Sequence, residues 1–316
     1  MRYVDIDGVR LSVIGLGTWQ FGSREWGYGT DYAEREAGEI LARALDLGIN
    51  LIDTAEIYAF GRSERIVGRG IAGRRKEAFV ATKVFPVLPI APVVEQRGRA
   101  SARRLGVDTI DLYQVHWPNP VVPIRMAMEG MRSLRRDGVV DHVGVSNFSL
   151  AQWKEAEERL GGRVLSNQVQ YSLVRRQPEA DLIPFAAERG RVVIAYSPLA
   201  QGFLSARHGP GARPGGMRAV NPLFSATSLE RAQPLFDTLR RVAAAHGAKP
   251  AQVALAWAVR HPNVVAIPGA SSVSQLESNV EAADLELTAD QVAELGEAAD
   301  AFSPDPGRAT RLLRRR

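Results

Sequence analysis

The chain is expected to fold as an α/β protein, a (β/α)8 barrel in one domain over 1–316 with an N-terminal β-hairpin closing its bottom. Three observations predict this. Eight apolar runs rich in Val, Ile and Leu alternate with amphipathic stretches, as strands buried on both faces alternate with covering helices. Three of those runs deliver a titratable side chain at the C-terminal end, where a parallel barrel assembles its chemistry. Two connections leaving such ends are much longer than a turn needs, as lids over a site would be.

Each element has its own signal. Tyr3–Ile6 and Arg10–Val13 flank Asp7-Gly8, a two-residue hairpin dipeptide, so residues 1–13 are read as the hairpin. Barrel strands are expected at Val13–Gly17, Asn50–Thr54, Ala78–Lys83, Asp111–His116, Val139–Val145, Val164–Gln168, Val192–Tyr196 and Val264–Pro268. Helical periodicity marks Ala33–Leu47, Ser63–Ile71, Ala91–Leu105, Pro123–Arg136, Leu150–Leu160, Glu179–Arg189, Leu229–His246 and Pro250–Arg260. A doubly wound open sheet is the structural competitor. The long connections are Trp19–Asp31, aromatic and glycine-rich, and Gln201–Ser228, rich in Gly and Pro. The end, 303–316, finishes in Arg314-Arg315-Arg316 and reads as a flexible, solvated tail.

Composition excludes several classes. Hydrophobic content of 45% and charged content of 24% are those of an ordinary globular protein. With 0 cysteines, disulfides, thiolate catalysis, zinc–thiolate sites and iron–sulfur clusters are excluded. The five histidines lack metal-ligand spacing, so no metal is expected. No run approaches the roughly 20 apolar residues of a membrane span. The opening, Met1-Arg-Tyr-Val-Asp-Ile-Asp7, carries charges where a signal peptide needs an apolar core, so a cytoplasmic location is expected, without membrane partners. The net charge of +5 is partly terminal, and no aromatics interleave with basic residues, so no nucleic-acid partner is expected. Gly68-Arg-Gly-Ile-Ala-Gly73 has the spacing of a dinucleotide fingerprint but follows a helical stretch rather than a strand. Its glycines read better as a helix end and turn.

The chemistry concentrates in three segments: Asn50-Leu-Ile-Asp53-Thr-Ala-Glu-Ile-Tyr58, Val80-Ala-Thr-Lys83 and Leu112-Tyr-Gln-Val-His116. A phenol has an unperturbed pKa of about 10 and is a poor acid at neutral pH. A neighbouring ammonium favours phenolate and lowers that value, and a carboxylate holds the ammonium in place. An imidazole can hydrogen-bond the reacting oxygen. Asp53, Tyr58, Lys83 and His116 together are therefore read as a catalytic, proton-donating site for a carbonyl. A buried structural role would be the better reading of His116 taken alone.

At this point the chain resembles the aldo-keto reductase family, in particular its bacterial, potassium-channel-β-subunit-like branch. The matching segments span nearly the whole length: Gly15-Leu-Gly-Thr-Trp19, Asp53-Thr-Ala-Glu-Ile-Tyr58, Gly61-Arg-Ser-Glu64, Thr82-Lys83, Asp111-Leu-Tyr-Gln-Val-His116, Gly144-Val-Ser-Asn-Phe148, Asn167-Gln168, Ala195-Tyr-Ser-Pro-Leu-Ala200 and Ile267-Pro-Gly-Ala270. Each is weak alone; their order is specific. The resemblance implies the same catalytic tetrad, a small-molecule carbonyl substrate, and a nicotinamide cofactor lying extended across the barrel mouth. Hydride transfer would reduce aldehydes or ketones to alcohols with Tyr58 as general acid, an oxidoreductase reaction.

The resemblance also assigns the cofactor contacts. Gly17, Thr18, Trp19 and Asp53 would line the nicotinamide side; Ser146, Asn147 and Gln168 would meet its carboxamide, and Tyr196 would stack on the ring. Ser197, Pro198, Leu199, Gln201, Gly202 and Leu204 begin the 201–228 region, which would cover the pyrophosphate like a belt. The adenosine-phosphate site maps to Ile267, Gly269, Ser271, Ser272, Gln275 and Asn279. Various members carry Lys or Arg at positions 269, 271 and 275, and this chain does not. NADP(H) is favoured, NAD(H) being the alternative, with Arg207, Arg213 or Arg218 supplying the missing charge. The substrate pocket would be walled by Trp19, Trp26, Tyr58, Phe85, His116 and Trp117. A different class, a slow-turnover cofactor-binding regulatory or redox-sensing module, remains as the alternative. Neither a monomer nor a homo-oligomer is indicated.

Overall fold

Strands β3 (Leu16–Gly17), β4 (Leu51–Asp53), β5 (Phe79–Val84), β6 (Ile110–Val115), β7 (Val140–Ser146), β8 (Val164–Gln170), β9 (Val192–Tyr196) and β10 (Val264–Ala266) pair in chain order. Every pairing is parallel. Parallel bridges Ile14–Ala266 and Gly17–Gly269 join the last strand to the first, so the sheet closes. This arrangement comes from a computed structural model, which describes residues 1–22, 30–209, 211, 214 and 216–304. Strand interiors read almost continuously buried, as in β8 and β10, because the barrel interior covers one face and helices the other. An open doubly wound sheet is thereby ruled out.

The closure seam needs glycine. Gly17 donates to the Pro268 carbonyl at 3.1 Å, and a Cβ there would lie 2.7 Å from the Ile267 carbonyl oxygen. Any side chain would push β3 and β10 apart.

The hairpin is β1 (Tyr3–Ile6) and β2 (Val9–Ser12), joined at Asp7 (φ 48°) and Gly8 (φ 82°), both left-handed as a type I′ turn requires. Ser12 N–H donates to Asn50 Oδ1, just before β4, and Arg163, just before β8, pairs with Asp7 at 2.7 Å. The hairpin thus covers the N-terminal ends of the strands, the bottom of the barrel.

Helices α1 (Thr30–Asp46), α2 (Arg62–Ile71), α3 (Ala91–Leu105), α4 (Ile124–Arg136), α5 (Leu150–Leu160) and α6 (Leu182–Glu188) follow successive strands. Local signals set their ends: Ser149 and Gln152 form a capping box at the start of α5, and Gly161 ends it left-handed. After β9 come α7 (Ala226–Arg231), α8 (Gln233–Ala245) and α9 (Pro250–Ala258). Then α10 (Val273–Glu281) and α11 (Ala289–Ala301) follow β10.

Three expectations are corrected. The stretch 229–246 divides into α7 and α8 at Ala232, because Pro234 cannot donate within a continuing helix. Glu179–Arg189 shortens, its start taken by a 3-10 turn at Gln177–Glu179. Helix α11 was not among the expected eight, although Thr288 and Gln291 make a capping box ahead of it. The nominal fingerprint is a helix: Gly68 and Gly70 lie inside α2, where a Cβ would meet the Leu105 carbonyl at 2.3 Å and Leu41 at 2.6 Å. Those glycines serve helix packing. Of the tail, 305–316 lies outside the described residues; before it, Phe302 packs on Phe203 with centroids 5.4 Å apart. No helix among the described residues is long and apolar enough to cross a membrane.

Candidate active site

The C-terminal ends of the strands open into a cleft of about 1330 Å³. Asp53 ends β4, Lys83 sits next to the end of β5, and His116 directly follows β6. Parallel register sets the strand ends side by side: His116 N–H donates to the Val84 carbonyl at 3.0 Å. Tyr58 comes from the turn after β4, whose Thr54 N–H is held by the Ala81 carbonyl at 2.8 Å. The four expected catalytic residues are thus brought together. Asp53, Tyr58 and His116 line the cleft, and Lys83 lies behind them, fully buried.

Lys83 Nζ donates to Asp53 Oδ1 and Oδ2 at 2.7 and 2.9 Å, to the Thr54 carbonyl at 2.9 Å, and reaches Tyr58 Oη at 3.4 Å. Gln168 Nε2 donates to Asp53 Oδ2 at 2.7 Å. Burial alone works against the Lys83 charge, but Asp53 and Tyr58 outweigh it and hold the ammonium above its ordinary range. Burial raises the Asp53 carboxyl, against the opposing pull of Lys83 and Gln168.

The Tyr58 phenol departs from expectation. Burial raises its pKa above the ordinary value, and Lys83 only partly opposes this. The reason is geometric: three closer oxygens take up the three ammonium protons, leaving the phenol a longer fourth contact. Tyr58 is therefore fully protonated at neutral pH.

His116 lies between aromatic walls. Trp117 stacks on it with centroids 3.9 Å apart at 15°, and Phe85 meets it edge-on at 6.2 Å. Its Nδ1 is buried without a hydrogen-bond partner. Burial first, and Lys83 second, push its pKa down to about 2, so the imidazole is neutral. As pH falls below about 6.5 the unfolded chain gains a proton there that the folded chain refuses, so stability present above that pH is lost on acidification. Between pH 6.5 and 4.5 the loss amounts to roughly 2 kcal/mol. Urea midpoints measured at both pH values should fall further in the wild type than in His116→Gln; equal falls would refute this.

A second polar cluster fixes the turn and the strand ends. Glu64, fully buried on α2, accepts from Thr82 Oγ1 at 2.7 Å and from Arg104 Nε at 2.5 Å. Ser63 Oγ bonds Thr54 Oγ1 at 2.9 Å and the Thr18 carbonyl at 3.0 Å. These contacts account for the Gly61-Arg-Ser-Glu64 segment, whose role was not legible in the sequence.

The cleft continues past Ser146, Asn147, Gln168 and Tyr196 to the segment Gly269–Asn279. Asn147 is already engaged: Nδ2 donates to the His116 carbonyl at 3.1 Å, and Oδ1 accepts from Tyr196 Oη at 2.9 Å. Gly17, Trp19, Ser197, Pro198, Leu199, Gln201, Gly202 and Ile267 also line it, as do Ser271, Ser272 and Gln275. Thr18 and Leu204 do not: both are fully buried, and the Thr18 hydroxyl is spent on the Asp53 carbonyl at 2.9 Å. Trp26 and Arg213 lie outside the described residues. Arg207 and Arg218 line the cleft, and so does Lys249, which nothing in the sequence marked. Gln20 was also missed; its Nε2 donates to the Ala270 carbonyl at 2.8 Å and ties the exits of β3 and β10 together.

Five of the eight non-glycine left-handed residues among those described line the cleft: Ala59, Phe60, Asn147, Ser197 and Gln201. Backbone strain of this kind persists where surrounding structure over-determines it, typically at sites that bind. No group of three or more His, Asp or Glu among the described residues is placed to hold a metal ion.

Comparison with known proteins gives a consistent result. The profile described as the Aldo/keto reductase family matches residues 13–300. The chain is 56% identical over 305 residues to an oxidoreductase of Mycobacterium tuberculosis whose activity is uncharacterized, covering 96% of this chain and 94% of that one. It is 33% identical to a methylglyoxal reductase of Escherichia coli, covering 92% of each. Among solved structures, an aldo/keto reductase from Klebsiella pneumoniae in complex with NADP and acetate superposes with a TM-score of 0.77 at 30% identity, covering 97% of each chain. A glycerol dehydrogenase from Gluconobacter oxydans superposes at 0.87 with 29% identity, again covering 97% of each.

Proposed function

The chain belongs to the aldo/keto reductase family, and from that premise we propose that it reduces an aldehyde or ketone to the alcohol with NADPH, Tyr58 giving the proton. The observation that carries this reading is the Tyr58 hydroxyl at the cleft wall, 3.4 Å from a buried, Asp53-held Lys83 Nζ. When bound, the cofactor supplies the hydride that the carbonyl carbon takes up; the carbonyl oxygen takes the phenol proton.

The chain's own residues do the rest. Tyr58 and His116 receive the carbonyl oxygen, His116 as a neutral hydrogen-bond donor with no charge to give up. Negative charge growing on the phenol oxygen is met by Lys83, whose contact strengthens as that charge develops. Gln168 has committed its Nε2 to Asp53, so its Oε1 is left to accept from the carboxamide NH2. Tyr196, its hydroxyl tied to Asn147, presents a ring face for stacking. The N-terminus of α10 with Ser271 and Ser272 suits a phosphate, and Arg207, Arg218 and Lys249 bring positive charge to the same cleft. NADP and NADPH in structural relatives from Klebsiella pneumoniae support the same choice of cofactor.

Fluorescence titration with NADPH and NADH, followed by a carbonyl screen with the tighter one, tests both parts. NADPH should bind at least about tenfold more tightly, the worth of one charge-assisted phosphate contact. Equal or tighter NADH binding would overturn the cofactor choice. Failure to oxidise either cofactor with any aldehyde or ketone would overturn the reaction.

A further inference from the structure

Phe60 is 92% exposed although it lines the cleft, two residues from the proton donor. It stands on a run of three left-handed residues: Ala59 (φ 47°), Phe60 (φ 54°) and Gly61 (φ 77°). L side chains resist that conformation, so both non-glycine residues are strained. The surroundings enforce it. A Cβ at Gly61 would lie 2.7 Å from Arg104, which Glu64 holds at 2.5 Å, and Phe60 N–H is tied back to the Ile57 carbonyl at 3.3 Å. The turn is thus built to hold a phenyl ring out over the cleft, where it makes no burial of its own.

Other apolar groups extend the same surface. Ile57 is 38% exposed and Trp117 41%, and both line the cleft with Phe60. Trp117 is the ring stacked on His116, so the surface begins at the catalytic groups and runs outward. Its loops are tied together: Phe85 N–H donates to Glu56 Oε1 at 2.5 Å, and Asn119 Nδ2 to the Pro86 carbonyl at 2.8 Å. The ledge is therefore formed before anything binds.

We propose that Phe60, with Ile57 and Trp117, forms a distal subsite for the apolar extension of the carbonyl substrate, an aryl ring or a long alkyl chain. This rests on the carbonyl-reductase reading above and names its substrate class. A small polar carbonyl reaching Tyr58 leaves the ledge in water; a molecule with an apolar tail covers it while its carbonyl sits at Tyr58. Burial against one phenyl ring makes Phe60 a selector of substrate length.

The test uses the full chain with NADPH and two pairs of aldehydes, propanal with octanal and benzaldehyde with biphenyl-4-carbaldehyde. In the wild type, kcat/KM should favour the longer member of each pair by about tenfold or more. In Phe60→Ala the preference should collapse to within about threefold, mainly through KM, while Phe60→Leu keeps part of it. An unchanged preference in Phe60→Ala, or no preference in the wild type, overturns the subsite and leaves the reductase reading intact. Sedimentation is run alongside: a dimer lost in Phe60→Ala with the preference unchanged assigns the ledge to a second copy and also overturns the proposal. Absence of turnover with all four aldehydes and the wider carbonyl screen sinks the reductase reading, and the subsite with it.

Discussion

Tyr58→Phe is expected to lower carbonyl reduction by about 10³-fold while NADPH binding changes little. The substitution keeps the ring and removes only the hydroxyl. In the folded state that hydroxyl makes one long contact, 3.4 Å to Lys83, so neither packing nor the ion pair behind it depends on it. What disappears is the acid. His116 cannot replace it, because burial keeps the imidazole neutral across the working pH range. Lys83 cannot either, since it lies behind Tyr58 with its protons committed to Asp53 and Thr54. Single-turnover loss of cofactor absorbance isolates the step from product release. Wild-type rates in Tyr58→Phe would remove the phenol from the reaction, and a parallel loss of NADPH affinity would point to a role in binding instead.

The raised phenol bears on pH as well. Burial keeps Tyr58 protonated at neutral pH. In the proposed reaction that state favours the reductive direction, in which the phenol would give a proton, and disfavours alcohol oxidation, in which it would accept one as phenolate. The sequence had suggested a lowered value from the presence of Lys83 alone. Burial of the phenol decides the balance, and a sequence does not state how deeply a side chain on a loop is enclosed.

Much of the site was legible for a simple reason. In a parallel barrel the strand end is a fixed place, so a carboxylate, a lysine and a histidine closing three apolar runs must converge. Asp53, Lys83 and His116 required no more than that. The residues that escaped lie where this rule is silent. Thr18 follows Gly17 but faces into the protein, since neighbours along an extended chain point to opposite sides. Leu204 belongs to a matching loop yet packs in the core. Lys249 reaches the cleft from the start of α9, more than one element away from any motif. Phe60 was hidden by its backbone: nothing in Tyr58-Ala-Phe-Gly61 announces two non-glycine residues in left-handed geometry. Helix α11 is different, because its capping box at Thr288 and Gln291 was there to be read.

Lys83→Met should cost activity on the scale of Tyr58→Phe, at least about 10²-fold, and should also destabilise the fold, which Tyr58→Phe should not. Both effects follow from one contact. Lys83 is fully buried against an equally enclosed Asp53 at 2.7 Å, and removing one partner of such a pair costs about 3–5 kcal/mol because the other is left charged in a low dielectric. Burial already raises the Asp53 carboxyl; without the ammonium it should rise further and take up a proton in the folded state. The sign is then fixed. A carboxyl raised in the folded state favours folding below its unfolded value near 4 and loses that advantage as pH rises, so the deficit of Lys83→Met should shrink toward pH 4 and be widest at neutral pH. Adding Asp53→Asn should recover most of the stability, because the isosteric amide carries no charge to strand. It should recover none of the rate, since the charge opposing the developing phenolate is still missing. Denaturation midpoints and single-turnover rates on the two variants therefore separate the parts: stability and rate returning together in the double variant would mean that Lys83 acts only as a structural partner of Asp53.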